Sequence, residues 1–182
     1  MKKPRKAELD KRPSDEAPSP TKMFTTENDL PKKQRKELNE LMNQRLADAV
    51  DLQMQMKQAH WNVKGPNFIA LHELFDKVAE GVESYVDLIA ERIVQLGGTA
   101  EGRIKQICSL TCLEEYPGKI SEGRDHVEAV VRALASFGHE VRSTIDEATE
   151  LNDPGSADLF TEVSRGIDKW LWFVEAHAQA TK

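Results

Sequence analysis

Apolar residues return at every third or fourth position along four long stretches of this chain, and no segment alternates apolar and polar residues as a half-buried strand would. That period dictates helices with one apolar stripe each, and stripes this long are covered by packing against one another. The first stretch begins near Pro31 and runs to Trp61 with Leu38, Leu41, Leu46, Ala49, Leu52, Met56 and Ala59 facing inward, and "VKGPN" ends it. The second, from about Phe68 to Leu96, carries Leu71, Phe75, Val78, Val82, Ile89 and Ile93 and stops at Gly97-Gly98. The third starts near Ser121, a residue suited to capping a helix N-terminus, and carries Val127, Val130, Leu134, Val141, Ile145 and Ala148 until "NDPGS" breaks it. The fourth takes in Leu159, Phe160, Val163, Ile167, Leu171 and Val174.

About two dozen residues join the second stretch to Tyr116-Pro117-Gly118, a length that leaves room for a short helix of its own. Four long helices with one lengthy crossover in the middle suggest an all-α, ferritin-like four-helix bundle spanning residues 31–182. Residues 1–30 are rich in Lys, Pro, Ser and Glu, have almost nothing to bury, and read as a mobile tail. The 182 residues suffice for one domain with a sizeable core. No apolar run approaches the roughly 18 residues needed to cross a bilayer, and the basic start "MKKPRKAELDKRP" lacks the apolar stretch of a secretory signal. The two cysteines, Cys108 and Cys112, do not make a disulfide scaffold and favour a reducing, cytoplasmic setting. Their CxxxC spacing suits metal binding or oxidation, but two isolated small hydrophobes is the preferred reading, since no His or Asp adjoins them.

Chemistry concentrates on the second stretch. His72 and Asp76 lie one helical turn apart, and so do Asp87 and Glu91 in "DLIAER". Both pairs fall on one stripe, but Asp76 and Asp87 are separated by about 16 Å along the axis at the helical rise. Metal ligands sit about 2 Å from their ion, so one helix cannot close a site with both pairs. Two copies crossing antiparallel about a two-fold axis can, with the midpoint between Gly81 and Val82; a glycine there would let the two backbones approach closely. An isologous dimer would then hold two equivalent sites, with His60 at the end of the first helix as a further ligand. Imidazole with carboxylate suits iron, with zinc, manganese or cobalt as competitors. The plainer alternative is that these carboxylates are solvated helix faces and the histidines structural. No ExxH occurs anywhere in the chain, which argues against the usual di-iron site inside one bundle.

The segments "KQAHWNVKGPNFIALHELFD", "DLIAERIVQLGG" and "DPGSADLFTEVSRGIDKWLWFVEAH" resemble the signatures of the Dps family of mini-ferritins, the resemblance covering about residues 30–180. It implies a shell of twelve subunits with ferroxidase centres at two-fold interfaces. Asp87 and Glu91 would come from one subunit, and His60, His72 and Asp76 from its partner. It further implies oxidation of Fe(II), preferentially by hydrogen peroxide, and storage of Fe(III), which protects DNA by removing both reactants that make hydroxyl radical. Trp61 is, on the resemblance, an interceptor of stray oxidising equivalents, or else an aromatic filling the interface. The acidic run from Asp146 to Glu162 resembles the family's iron-entry region, with Asp153 and Asp158 as the pore candidates.

Charge bears on a nucleic-acid partner. The net charge is -6, yet residues 1–12 hold Lys2, Lys3, Arg5, Lys6, Lys11 and Arg12 against Glu8 and Asp10. An acidic body repels phosphate, so these six residues are the candidate DNA contacts, non-specific and salt-sensitive, and would associate the protein with the nucleoid. The alternative to an iron-oxidising cage is a structural, nucleoid-compacting protein whose metal site only stabilises the dimer.

Overall fold

The computed structural model describes residues 22–179. It contains five helices, α1 (Lys32–Asn62), α2 (Phe68–Gln95), α3 (Ile104–Leu110), α4 (Gly123–Glu150) and α5 (Pro154–Gln179), and no strand forms among the described residues. The expected boundaries agree to within a residue or two, and α3 is the short helix for which the crossover has room. Ser121 does not cap α4; Glu122 stands at that position and makes no side-chain cap. The six candidate DNA contacts lie outside the described residues.

α1 packs along α2 and α4 along α5, and the two hairpins meet through α1 on α4 and α2 on α5. Lys64, just past the end of α1, donates its backbone N–H to Ser121 just before α4, at 2.9 Å. The start of α4 therefore lies beside the α1–α2 elbow, and the crossover has run the length of the bundle, so that α4 parallels α2. The apolar stripes meet in one core, with Phe75, Phe137 and Phe160 fully buried, each contributing about 1.5–3 kcal/mol by leaving water. On α1, Met42 takes the fully buried place and Leu41 is half-buried.

α1 buries a second, polar face that holds the crossover. Gln44 donates to the Leu110 carbonyl, Asp48 accepts the Cys112 backbone N–H at 2.8 Å, Asp51 accepts the Thr111 hydroxyl at 2.8 Å, and Gln55 donates to the Glu114 carbonyl at 3.0 Å. Towards its N-terminus, Arg35 donates to the carbonyls of Leu30 and Leu96, and Asn43 bonds Thr99 and Glu101. These bonds satisfy main chain that no regular element would otherwise pair. Cys108 and Cys112 are free and exposed on this crossover, not buried as small hydrophobes.

The α2–α5 contact corrects the reading of Gly81. A Cβ there would come within 2.5 Å of the Trp170 indole nitrogen, and a Cβ at Gly166 would strike the Tyr85 hydroxyl. Each helix thus offers a glycine notch to the other's aromatic ring. Gly81 makes room for a side chain of its own chain, and it faces away from the stripe of His72, Asp76, Asp87 and Glu91.

Candidate metal centre

The Gly-Pro elbow between α1 and α2 folds the end of one helix against the start of the next, with Gly65 at φ 111°. This brings His60 and His72 face to face, ring centroids 3.7 Å apart and planes 21° from parallel. The hydrogen bonds are reciprocal: His60 Nδ1 meets the His72 carbonyl at 2.7 Å, and His72 Nδ1 meets the His60 carbonyl at 2.8 Å. A carbonyl only accepts, so each Nδ1 carries a proton, which leaves Nε2 as the nitrogen through which either ring could bind a metal. That is the arrangement by which metal-binding histidines are oriented.

Asp76 joins the pair one turn along α2. Its Oδ1 lies 3.9 Å from His60 Nδ1 and 2.5 Å from the ammonium of Lys57. The Lys57 contact holds the Asp76 carboxyl below its ordinary range, with smaller help from the two histidines against a small opposing effect of burial. Lys57 was not foreseen as part of this cluster, although its place one turn before His60 on α1 puts it on the same face. Its ammonium also sits 5.9 Å over the Trp61 ring, and Trp61 is 59% exposed.

Asp87 and Glu91 are exposed on α2. Among the described residues, no group of three or more His, Cys, Asp or Glu is placed to hold a metal ion. The chain brings His60 and His72 together with Asp76 nearby at one end of α2, short of a complete metal site, and leaves Asp87 and Glu91 exposed towards the other.

The two pore candidates part company. Asp158 is exposed, whereas Asp153 is buried and its carboxylate receives Arg92 at 2.8 and 2.9 Å, Ser156 at 2.5 Å and the Gly155 N–H at 3.1 Å. Burial pushes the Asp153 carboxyl up, but Ser156 and Arg92 more than reverse it, so it is held below its ordinary range. This carboxylate ties the α4–α5 turn to α2, and its charge is neutralised within the chain.

Four long helices with a bundle-length crossover, and ligand types gathered on α1 and α2, define the ferritin-like class. The model of the ferritin-like domain family matches residues 39–182. The "DNA protection during starvation protein" of Agrobacterium fabrum is 44% identical over 158 residues, covering 87% of this chain and 98% of the relative. Among solved structures, DpsC from Streptomyces coelicolor superposes with a TM-score of 0.84 at 28% identity, covering 88% of this chain and 94% of that one. Mycobacterium smegmatis Dps superposes with a TM-score of 0.83 at 30% identity, covering 88% and 96%. The chain belongs to the Dps family of ferritin-like proteins.

Proposed function

We propose that this protein is an iron-oxidising and iron-storing cage whose centres are completed between two copies of the chain. In an antiparallel α2 pair centred between Gly81 and Val82, the numbers of facing residues sum to 163. His72 then faces the partner copy's position 91 and Asp76 its position 87. The same register sets Ile69 against position 94, and Ile69 and Val94 are 61% and 58% exposed in the single chain. That coincidence is the observation carrying the proposal: an apolar criterion and a metal-ligand criterion, chemically unrelated, select one register. Covering each such side chain stabilises the pair by about 1.5–3 kcal/mol. Glu80 and Glu83 also sum to 163, so the middle of the seam is acidic and attracts divalent cations.

Fe(II) is the substrate. His60 and His72 present Nε2 lone pairs, and Asp76, with Asp87 and Glu91 of the other copy, supplies carboxylate oxygens, a mixed set suited to iron and open to competition by zinc or manganese. Two Fe(II) give hydrogen peroxide both electrons it needs to become water, so no hydroxyl radical is released. Fe(III) is stored inside a shell of twelve copies, and the name of the Agrobacterium relative supports protection of DNA as the outcome. The exposed Asp158 belongs to the acidic region through which Fe(II) approaches. The basic residues Lys2, Lys3, Arg5, Lys6, Lys11 and Arg12 supply salt-sensitive DNA contacts, multiplied by the number of arms per particle.

The test is anaerobic Fe(II) titration of the purified assembly followed by hydrogen peroxide. Peroxide and Fe(II) are expected to disappear in a one-to-two ratio with Fe(III) retained in a soluble particle, and Asp87→Ala with Glu91→Ala removes both. DNA shifts without any Fe(II)-dependent loss of peroxide would instead identify a nucleoid-compacting protein.

A further inference from the structure

The Gly-Pro elbow does more than bring two histidines together. It turns on Gly65, whose carbonyl accepts the Phe68 N–H at 3.1 Å, and Phe68 becomes the first residue of α2. His72 follows one helical turn later, and the two rings meet with centroids 5.1 Å apart and planes 34° from parallel. The other ring against His72 is that of His60, stacked at 3.7 Å. A stacked ring takes one whole face of an imidazole, so Phe68 bears on the part of His72 that His60 leaves free. Phe68, His72 and His60 form a ladder of three rings with the candidate ligand His72 in the middle.

Packing does not account for Phe68. Its ring is 39% exposed, and it is neither one of the buried residues of the apolar core nor one of the half-buried residues packed against them. In the α2 register proposed above, Phe68 faces the partner copy's position 95, which is a glutamine, while the neighbouring Ile69 takes the apolar match at position 94. Neither the core nor the seam therefore calls for an aromatic ring here, whereas His72 meets one.

The geometry also says what that contact does. The bond from His72 Nδ1 to the His60 carbonyl, 2.8 Å, pins one atom of the imidazole. About that point the ring can still swing, and Nε2, on the far side of the ring, moves most. A metal site tolerates about 10–20° of such misdirection. Contact against the ring plane removes the swing. An aromatic neighbour offers a flat surface for this, where an aliphatic chain offers rotating methyl groups.

We propose that Phe68 is a positioning residue: its ring fixes the plane of the His72 imidazole and thereby aims Nε2 at iron. This rests on the proposed iron function, and Phe68 acts through His72 alone. A His72 ring that must be ordered when the metal arrives binds it more weakly. The effect falls on metal affinity, and so on the KM for Fe(II), and not on kcat once the centre is filled.

The test uses the full assembled protein carrying Phe68→Leu, Phe68→Met or Phe68→Tyr, with particle size measured for each. Titration with Co(II), followed by its visible absorption, reads affinity without turnover. The two aliphatic variants are expected to bind Co(II) about tenfold more weakly than wild type, the loss typical when a ligand's orienting partner is removed. Their KM for Fe(II) should rise by about the same factor, with kcat changed by less than about twofold. Phe68→Tyr keeps the ring and is expected to bind Co(II) as wild type does. Aliphatic variants that bind like wild type, Phe68→Tyr as weak as they are, or loss of the particle in both aliphatic variants overturns the positioning role. Crystal structures of the metal-free variants give a readout independent of any metal. His72 is expected to leave its 21° stack on His60 in Phe68→Leu and to keep it in Phe68→Tyr. An unmoved His72 ring in metal-free Phe68→Leu refutes the proposal. If wild type binds neither Co(II) nor Fe(II), the iron function falls, while the metal-free structures still decide whether Phe68 positions His72.

Discussion

The split of the ligand set predicts how two inactive proteins restore one another. The first carries His72→Ala and Asp76→Ala, the second Asp87→Ala and Glu91→Ala. The half-sets are centred near positions 74 and 89 of α2, about 22 Å apart at the helical rise, so a copy retaining one half cannot borrow the other from itself. Each variant alone builds dimers in which every centre has lost one half. In a mixed dimer one centre receives both intact halves and the other receives neither. Random pairing of equal amounts makes half the dimers mixed, so the mixture is expected to recover about a quarter of the wild-type rate of Fe(II) oxidation by peroxide, the share set by isologous pairing. The assay is co-expression with two different tags, tandem purification checked by intact mass, and stopped-flow oxidation beside each parent. Particles that carry both tags still hold randomly paired copies within the shell, so they too are expected at about a quarter of the wild-type rate per chain. No recovery in particles shown to be mixed, or full activity in either parent, would refute a centre shared between copies.

Three further outcomes follow from groups outside the centre. His126 is 1% exposed with its Nδ1 2.6 Å from the Tyr116 hydroxyl, and burial lowers its pKa, against smaller opposing effects of Asp125 and the carbonyls of Ile120 and Asn62. The fold therefore favours the neutral ring: this contribution is complete above the unfolded value of about 6.5 and is lost as pH falls below it towards the folded value, so the thermal midpoint should drop on acidification through that window and His126→Gln should flatten the drop. Asp153→Ala strands Arg92 beside a nearly dry turn and should cost about 3 kcal/mol in denaturant unfolding, at the low end for a broken buried pair because Arg92 keeps 18% of its side chain exposed. Asp158→Asn, by contrast, should leave unfolding unchanged.

What the amino-acid order reveals here depends on whether a residue's role is local. α2 is legible because one helical period carries its whole argument: Leu71, Phe75, Val78, Val82, Ile89 and Ile93 are buried, and the remaining stripe sorts His72, Asp76, Asp87 and Glu91 into two pairs one turn apart. α1 is only half legible. Gln44, Asp48, Asp51 and Gln55 also recur at helical spacing, and polar residues so spaced read as a solvated face. Their partners lie about sixty residues away on a crossover with no periodicity to announce where it docks. Asp153 misleads for the same reason, since an acidic neighbourhood suggests a cation path and the guanidinium that neutralises it is 61 positions earlier. Gly81 shows a third case: a residue with no side chain cannot say which neighbour needs its space, and only the placement of Trp170 decides between another copy and the same chain. The proposed seam stays readable even though Lys57 of the same chain pairs with Asp76. Ile69 and Val94 remain exposed, and they recur at spacings mirrored about the same midpoint as the candidate ligands. A side chain whose partner is another copy of its own helix has that partner written into the same sequence, and a twofold pattern along one helix can be read where a contact between distant segments cannot.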